Sequence, residues 1–150
     1  MAKQIFLEDS TDEFPQLHIK STNGTDAHEG GRLVFLRDKN AAGASNDHIG
    51  QILFKSDNTA QEQTDYANII ANVSTATDTD EAGKLTLQVA HSNGTSSSLK
   101  DGIVITGDPA ITNRVDVSLG GSSTDSRVSI NGKFVMSDVT SGKILVADGT

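Results

Sequence analysis

The sequence predicts an all-β fold built from short hairpins, and three observations carry that prediction. Apolar residues alternate with polar ones along most of the chain, most densely over residues 31–90. Asp outnumbers Glu 15 to 5, and Ser plus Thr supply 31 of the 150 residues, so turn formers dominate over helix-surface residues. The chain has one Tyr and no Trp, and Leu, Ile, Val and Phe together number 36, about 24%. That is only just above the level at which chains are usually disordered. There is length for one domain or for two small pieces of a fibrous one, but its own core would be thin. Burying the same face against identical copies is the simplest way to thicken it. An oligomer is expected.

A net charge of −8 argues against a general nucleic-acid binder, which would present a basic face. It fits a protein whose copies are kept soluble by like charge. Without cysteine there is no disulfide, thiol nucleophile or zinc–thiolate site. The opening MAKQIFLEDS lacks the long apolar run of a signal peptide, and no stretch approaches a membrane span. Synthesis in a cytoplasm is expected, with no membrane insertion.

Taken in order, residues 1–14 hold an apolar knot, Ile5, Phe6 and Leu7, then an acidic run and Phe14. They read as a docking segment or a first edge strand, ended by Pro15; an ordinary frayed terminus is the alternative. Residues 16–20 alternate, with Leu17 and Ile19 on one face. Asn23-Gly24 is a hairpin signal. Residues 32–37 (RLVFLR) are apolar on both faces and should be sandwiched on both sides, and residues 38–47 form a polar loop. Residues 48–55 (HIGQILFK) return as a strand in which Gly50 marks a bulge or a close backbone approach.

Residues 66–73 are ambiguous. Tyr66, Ile69, Ile70 and Val73 keep helical spacing, whereas Ala67, Ile69, Ala71 and Val73 keep strand spacing. Turn-rich flanks and the strand at 84–90, with Leu85, Leu87 and Val89 on one face, favour strand. Short units follow at 102–106, 115–119, 128–136 and 144–146, punctuated by Gly120-Gly121, Asn131-Gly132 and Ser141-Gly142. In VDVSL (115–119) one face is dry and the other wet. No strict repeat is present. The ending SGKILVADGT directly follows a strand, and more chain beyond residue 150 is expected. The resulting division is a docking segment at 1–14, a β-rich module at 15–108 and a short-strand shaft at 109–150.

No catalytic, cofactor or metal residues are assigned. The sequence contains no nucleophile elbow, phosphate-binding loop or dinucleotide fingerprint. His18, His28, His48 and His91 are ten or more residues apart, without metal-ligand spacing, and read as solvated side chains. TDTDEAG (77–83) is rich in carboxylates but lacks the full calcium loop, and a polar hairpin turn explains it as well. The acids fall in turns, without aromatic platforms for sugar stacking, so no glycosidase pair stands out; Tyr66 reads as packing. Asn23, Asn72 and Asn93 open glycosylation triplets that, without a secretory signal, are turn and strand residues.

The order of these patterns is similar to a module of bacteriophage tail-fibre and related virion fibre proteins. The resemblance runs through PQLHI (15–19), GRLVF (31–35), IGQILFKSD (49–57), YANI (66–69) and EAGKLTL (81–87). The segments VDVSLGG, RVSINGKFVMS and SGKILVADGT resemble the short-strand shaft that follows such modules. The resemblance implies an elongated, intertwined homotrimer, with a β-sandwich-like or β-prism module followed by a fibre shaft. In this reading Val115, Val117, Leu119, Val128 and Ile130 face the trimer core, and Ile5, Phe6, Leu7 and Phe14 dock on the virion. The expected role is a structural virion protein, a tail fibre without enzymatic activity or cofactor, supporting or mediating host-cell recognition. Its partners would be its own copies, a tail-tube or adaptor protein and a host surface glycan, with no nucleic acid. A capsid decoration protein or head fibre is the first alternative. A carbohydrate-binding module or polysaccharide depolymerase is the second.

Overall fold

The structure, a computed structural model, describes residues 17–20, 22, 30–112, 114–121 and 126–131. The chain divides into two compact units, Met1–Ala41 and Ala42–Thr150. All strands among the described residues belong to the second unit: β1 (His48–Asp57), β2 (Gln63–Thr75), β3 (Ala82–Ser92), β4 (Ser97–Asp108) and β5 (Arg114–Leu119). They form one five-stranded antiparallel sheet in chain order, a meander, and no helix occurs among the described residues. The expected all-β class is therefore observed.

Local chemistry explains the meander. Three of its four turns start with an Asx side chain that holds backbone N–H groups the ladder leaves unpaired. Asn58 Oδ1 accepts from the N–H groups of Ala60 and Glu62 at 2.8 and 3.0 Å, closing the β1–β2 turn. Asn93 Oδ1 accepts from Thr95 and Ser96 at 3.0 and 2.9 Å, and Gly94 takes φ +89° between β3 and β4. Asp108 Oδ1 accepts from Ala110 at 3.0 Å before β5. The β2–β3 turn is the polar stretch 77–81, where Asp80 N–H bonds Thr77 O at 3.0 Å and Thr79 takes φ +67°.

Register shifts mark where the strands bulge: at His48/Gly50 and Phe54/Lys55 in β1–β2, Val73/Thr75 in β2–β3 and Leu87/Gln88 in β3–β4. The first is the irregularity that Gly50 signals in the sequence. The second leaves Tyr66 without an opposite number on β1, and residues 66–73, whose spacing admits helix or strand, lie wholly within β2. A bulge next to Tyr66 breaks strict alternation there.

Three expectations need correction. Residues 32–37, expected to be sandwiched on both faces, form no strand, and Leu33, Val34, Phe35 and Leu36 are exposed, Leu36 at 84%. Apolar alternation supplies side chains for a sheet but not an edge to pair with, and no strand of their own unit is described beside them. The same reason applies to 17–20, where Leu17 and Ile19 are exposed and unpaired in any sheet, although Gly31 lies so close to the Ile19 carbonyl that a Cβ would overlap it. The described part of the expected strand at 128–136, residues 128–131, is not strand either, and Val128 and Ile130 are exposed. The Asn23-Gly24 hairpin and the strand at 144–146 lie outside the described residues.

If the Asx side chains shape the meander, Asn58→Ala removes two turn hydrogen bonds and lowers stability by about 1 kcal/mol. Thermal denaturation followed by circular dichroism should show a lower melting temperature with the β spectrum retained.

Candidate functional site

Strand register sorts the side chains of the sheet onto two faces of opposite character. One face carries continuous apolar rows across the strands. Ile52, Ile69, Leu87, Ile103 and Leu119 stand opposite one another in sequence from β1 to β5. A second row runs through Gly50, Ala71, Leu85, Ile105 and Val117, and a third through Phe54, Ala67 and Val89, ending at Lys100. Lys100 is the one charged side chain in these rows.

The opposite face, the polar face, is mixed, with polar and charged side chains around Leu53, Ile70 and Val104. Its rows are Leu53–Asn68–Gln88–Asp101, Gln51–Ile70–Thr86–Val104–Ser118 and Asn72–Lys84–Thr106–Asp116. Ion pairs sit along its edges: Lys55 Nζ to Asp65 Oδ1 at 2.9 Å, and Arg114 Nε to Asp116 Oδ1 at 2.8 Å and Asp108 Oδ2 at 3.6 Å. The hydrogen bond from Arg114 to Asp116, reinforced by the carboxylate's charge, raises the guanidinium pKa above its ordinary value. Exposed pairs of this kind add little to stability.

Burial runs opposite to polarity. No hydrophobic side chain among the described residues is buried, whereas Asn68 and Thr86 on the polar face are 5% and 4% exposed. On the apolar face Phe54 remains 50% and Val117 58% exposed. β2 and β4 also approach each other directly across β3, and the two most enclosed residues lie on the face opposite the apolar rows.

A hydrogen-bond relay crosses that polar side. Asn68 Nδ2 donates to Gln88 Oε1 at 2.9 Å, and Gln88 Nε2 donates to Asp101 Oδ1 at 2.8 Å. The Asp101 carboxylate can only accept, so Gln88 must present its amide nitrogen there and its oxygen to Asn68, which fixes all three orientations. Asn68 Oδ1 is left buried without a hydrogen-bond partner. The relay lines up three strands in register, because a one-residue slip would carry each member to the other face.

The structure places Val115, Val117 and Leu119 together on β5, all on the apolar face and all exposed. Val128 and Ile130 lie outside the strands and are also exposed; Ile5, Phe6, Leu7 and Phe14 lie outside the described residues. Sequence reasoning missed that Ile52, Ile69 and Ile103 extend the β5 face across the whole sheet. It also missed the relay, whose members are ordinary polar positions until register aligns them. Among the described residues no group of three His, Asp or Glu side chains is placed to hold a metal ion. Two open grooves flank the sheet. The first, lined by Lys55, Asp65, Ser97 and Ser98, has Asp65 as its one carboxylate, and the second contains Glu81, Asp108 and Arg114.

Compared with known proteins, the chain matches no protein-family model, and no curated protein matches it in sequence. Function therefore has to be argued from the two faces.

The relay gives a sharp test of the polar face. Asn68→Asp places a second carboxylate in a buried position against Gln88 Oε1 and should cost about 2 kcal/mol or more. Asn68→Leu removes the unpaired acceptor and should stay within about 1 kcal/mol of the parent. Urea denaturation of both variants measures the difference.

Proposed function

We propose that this chain is a structural virion protein, a trimeric bacteriophage tail fibre that attaches to the tail and supports or mediates host-cell recognition. The observation that carries the reading is the exposed apolar face of a sheet with no buried hydrophobic side chain among the described residues. A single layer of strands needs a second apolar layer to be stable, and a fibre of intertwined copies supplies it. The meander of short turns and the resemblance to fibre modules across 15–150 support the same reading.

Within it the protein has no enzymatic activity. Val115, Val117 and Leu119 face the shared interior, with Val128 and Ile130 continuing that interior along the chain. Ile5, Phe6, Leu7 and Phe14 dock on another virion protein.

Light scattering of the purified full chain should give three times the mass of one copy; a stable monomer would count decisively against the reading. Val117→Asp places a charge in the shared interior and should abolish the trimer. Because the sheet depends on that shared layer, the variant should sediment as a monomer with a lower melting temperature and a weakened β spectrum. A trimer of normal melting temperature would refute the assignment of this face.

A further inference from the structure

We infer that copies of this chain meet through the apolar face over all five strands, from Ile52 on β1 to Leu119 on β5, and that the polar face with its relay stays outside the assembly. The inference deepens the trimer part of the proposed function and rests on it: β5 is one edge of a contact surface as wide as the sheet.

Three observations select a second copy as the occupant. The first is charge. A chain of net charge −8 repels its own copies, yet the carboxylates of the strands in these registers, Asp65, Asp101 and Asp116 among them, stand on the opposite face. Three copies can therefore turn these faces toward one shared interior without bringing carboxylates together. Among these strand rows an acidic partner would find one cation, Lys100, and a basic partner no carboxylate.

The second is extent. Five strands about 4.8 Å apart and about six residues of 3.3 Å rise give a flat footprint of roughly 500 Å², before side-chain relief is counted. A specific interface should clear about 1,000 Å² in total, about 500 Å² per partner, so this face is just large enough for a contact between copies. The third is the polar face. Its centre is already enclosed at Asn68 and Thr86, so it offers less open surface than the apolar face.

The absence of cysteine permits a clean experiment on the full chain. Val117→Cys and Ser118→Cys put single thiols on adjacent, exposed positions of opposite faces. Under mild oxidation Val117→Cys should give disulfide-linked pairs of chains and Ser118→Cys almost none. Ile52→Asp and Gln51→Asp repeat the comparison at the far strand. Ile52→Asp should weaken assembly at least about tenfold by sedimentation and Gln51→Asp less than about twofold, Gln51→Asp keeping the parent's β spectrum.

A trimer in which Ser118→Cys links and Val117→Cys does not would overturn the face assignment while leaving the trimer intact. Ile52→Asp assembling like the parent would overturn the five-strand extent. A monomer in which the Val117→Cys thiol is shielded from maleimide would show that another segment of the same chain, residues 32–37 for instance, covers the face; that outcome overturns both this inference and the trimer.

Discussion

A β-sheet has two faces, and the ladder hydrogen bonds that hold it together bury neither of them. The stable solutions in globular domains add a second layer of helices or strands against the apolar side. Here the apolar side is assembled by register with no gap across its main row, yet its large side chains remain exposed. Ile52, Phe54, Leu85, Val89, Val115, Val117 and Leu119 would each gain about 1 kcal/mol on losing the water that still touches them. Together that is comparable with the whole stability of a small domain, about 5–15 kcal/mol. A term of that size decides how the protein exists. The backbone ladder shapes the sheet, and the missing layer determines what the sheet must do next.

The ladder itself is specified locally. Asn58, Asn93 and Asp108 each capture backbone N–H groups one turn ahead of the next strand, so each hairpin carries its own turn chemistry. Neighbours in sequence are neighbours in the sheet throughout, which keeps the loops to be closed short and the entropy of closing them small. Against this local order the bulges act as register pins. Gly102 is the extra residue between the Leu87–Ile103 and Gln88–Asp101 pairs. In a regular strand Ile103 and Asp101, two residues apart, would both face the apolar side; the bulge at Gly102 turns Asp101 to meet Gln88.

That arrangement explains what could be read from the residues alone. Alternation identified the strands around Ile52, Leu87, Ile103 and Val117 and their apolar faces, because a period of two is a property of each strand by itself. The β2–β3 turn was legible in TDTDEAG (77–83), whereas the Asx turns at Asn58 and Asp108 gave no signal of their own beyond a polar residue between strands. Residues 32–37 were misread because a strand requires a partner edge, and RLVFLR carries no information about whether one is present. The relay was invisible because Asn68, Gln88 and Asp101 become a unit only through the register of three strands and one bulge. Likewise, VDVSL disclosed a dry face on β5 but not that four more strands continue it.

The contrast between the faces also bears on which side of such a sheet belongs inside an assembly. Burial within one copy would nominate the polar side, since Asn68 and Thr86 are its most enclosed residues. That enclosure carries a cost, the unpaired Asn68 Oδ1. A buried polar row that orients Gln88 and Asp101 contributes specificity, because it penalises a slipped register more than it rewards the correct one. The apolar rows behave in the opposite way: any register that keeps period two would bury them equally well. In the proposed assembly one face selects the alignment of the strands within a copy, and the other supplies the drive for copies to come together. Mixing the two functions on one face would leave unpaired polar groups at the proposed contact between copies. Their separation by the pleat lets a chain with so few large apolar residues align its strands on one side while keeping an open apolar surface on the other.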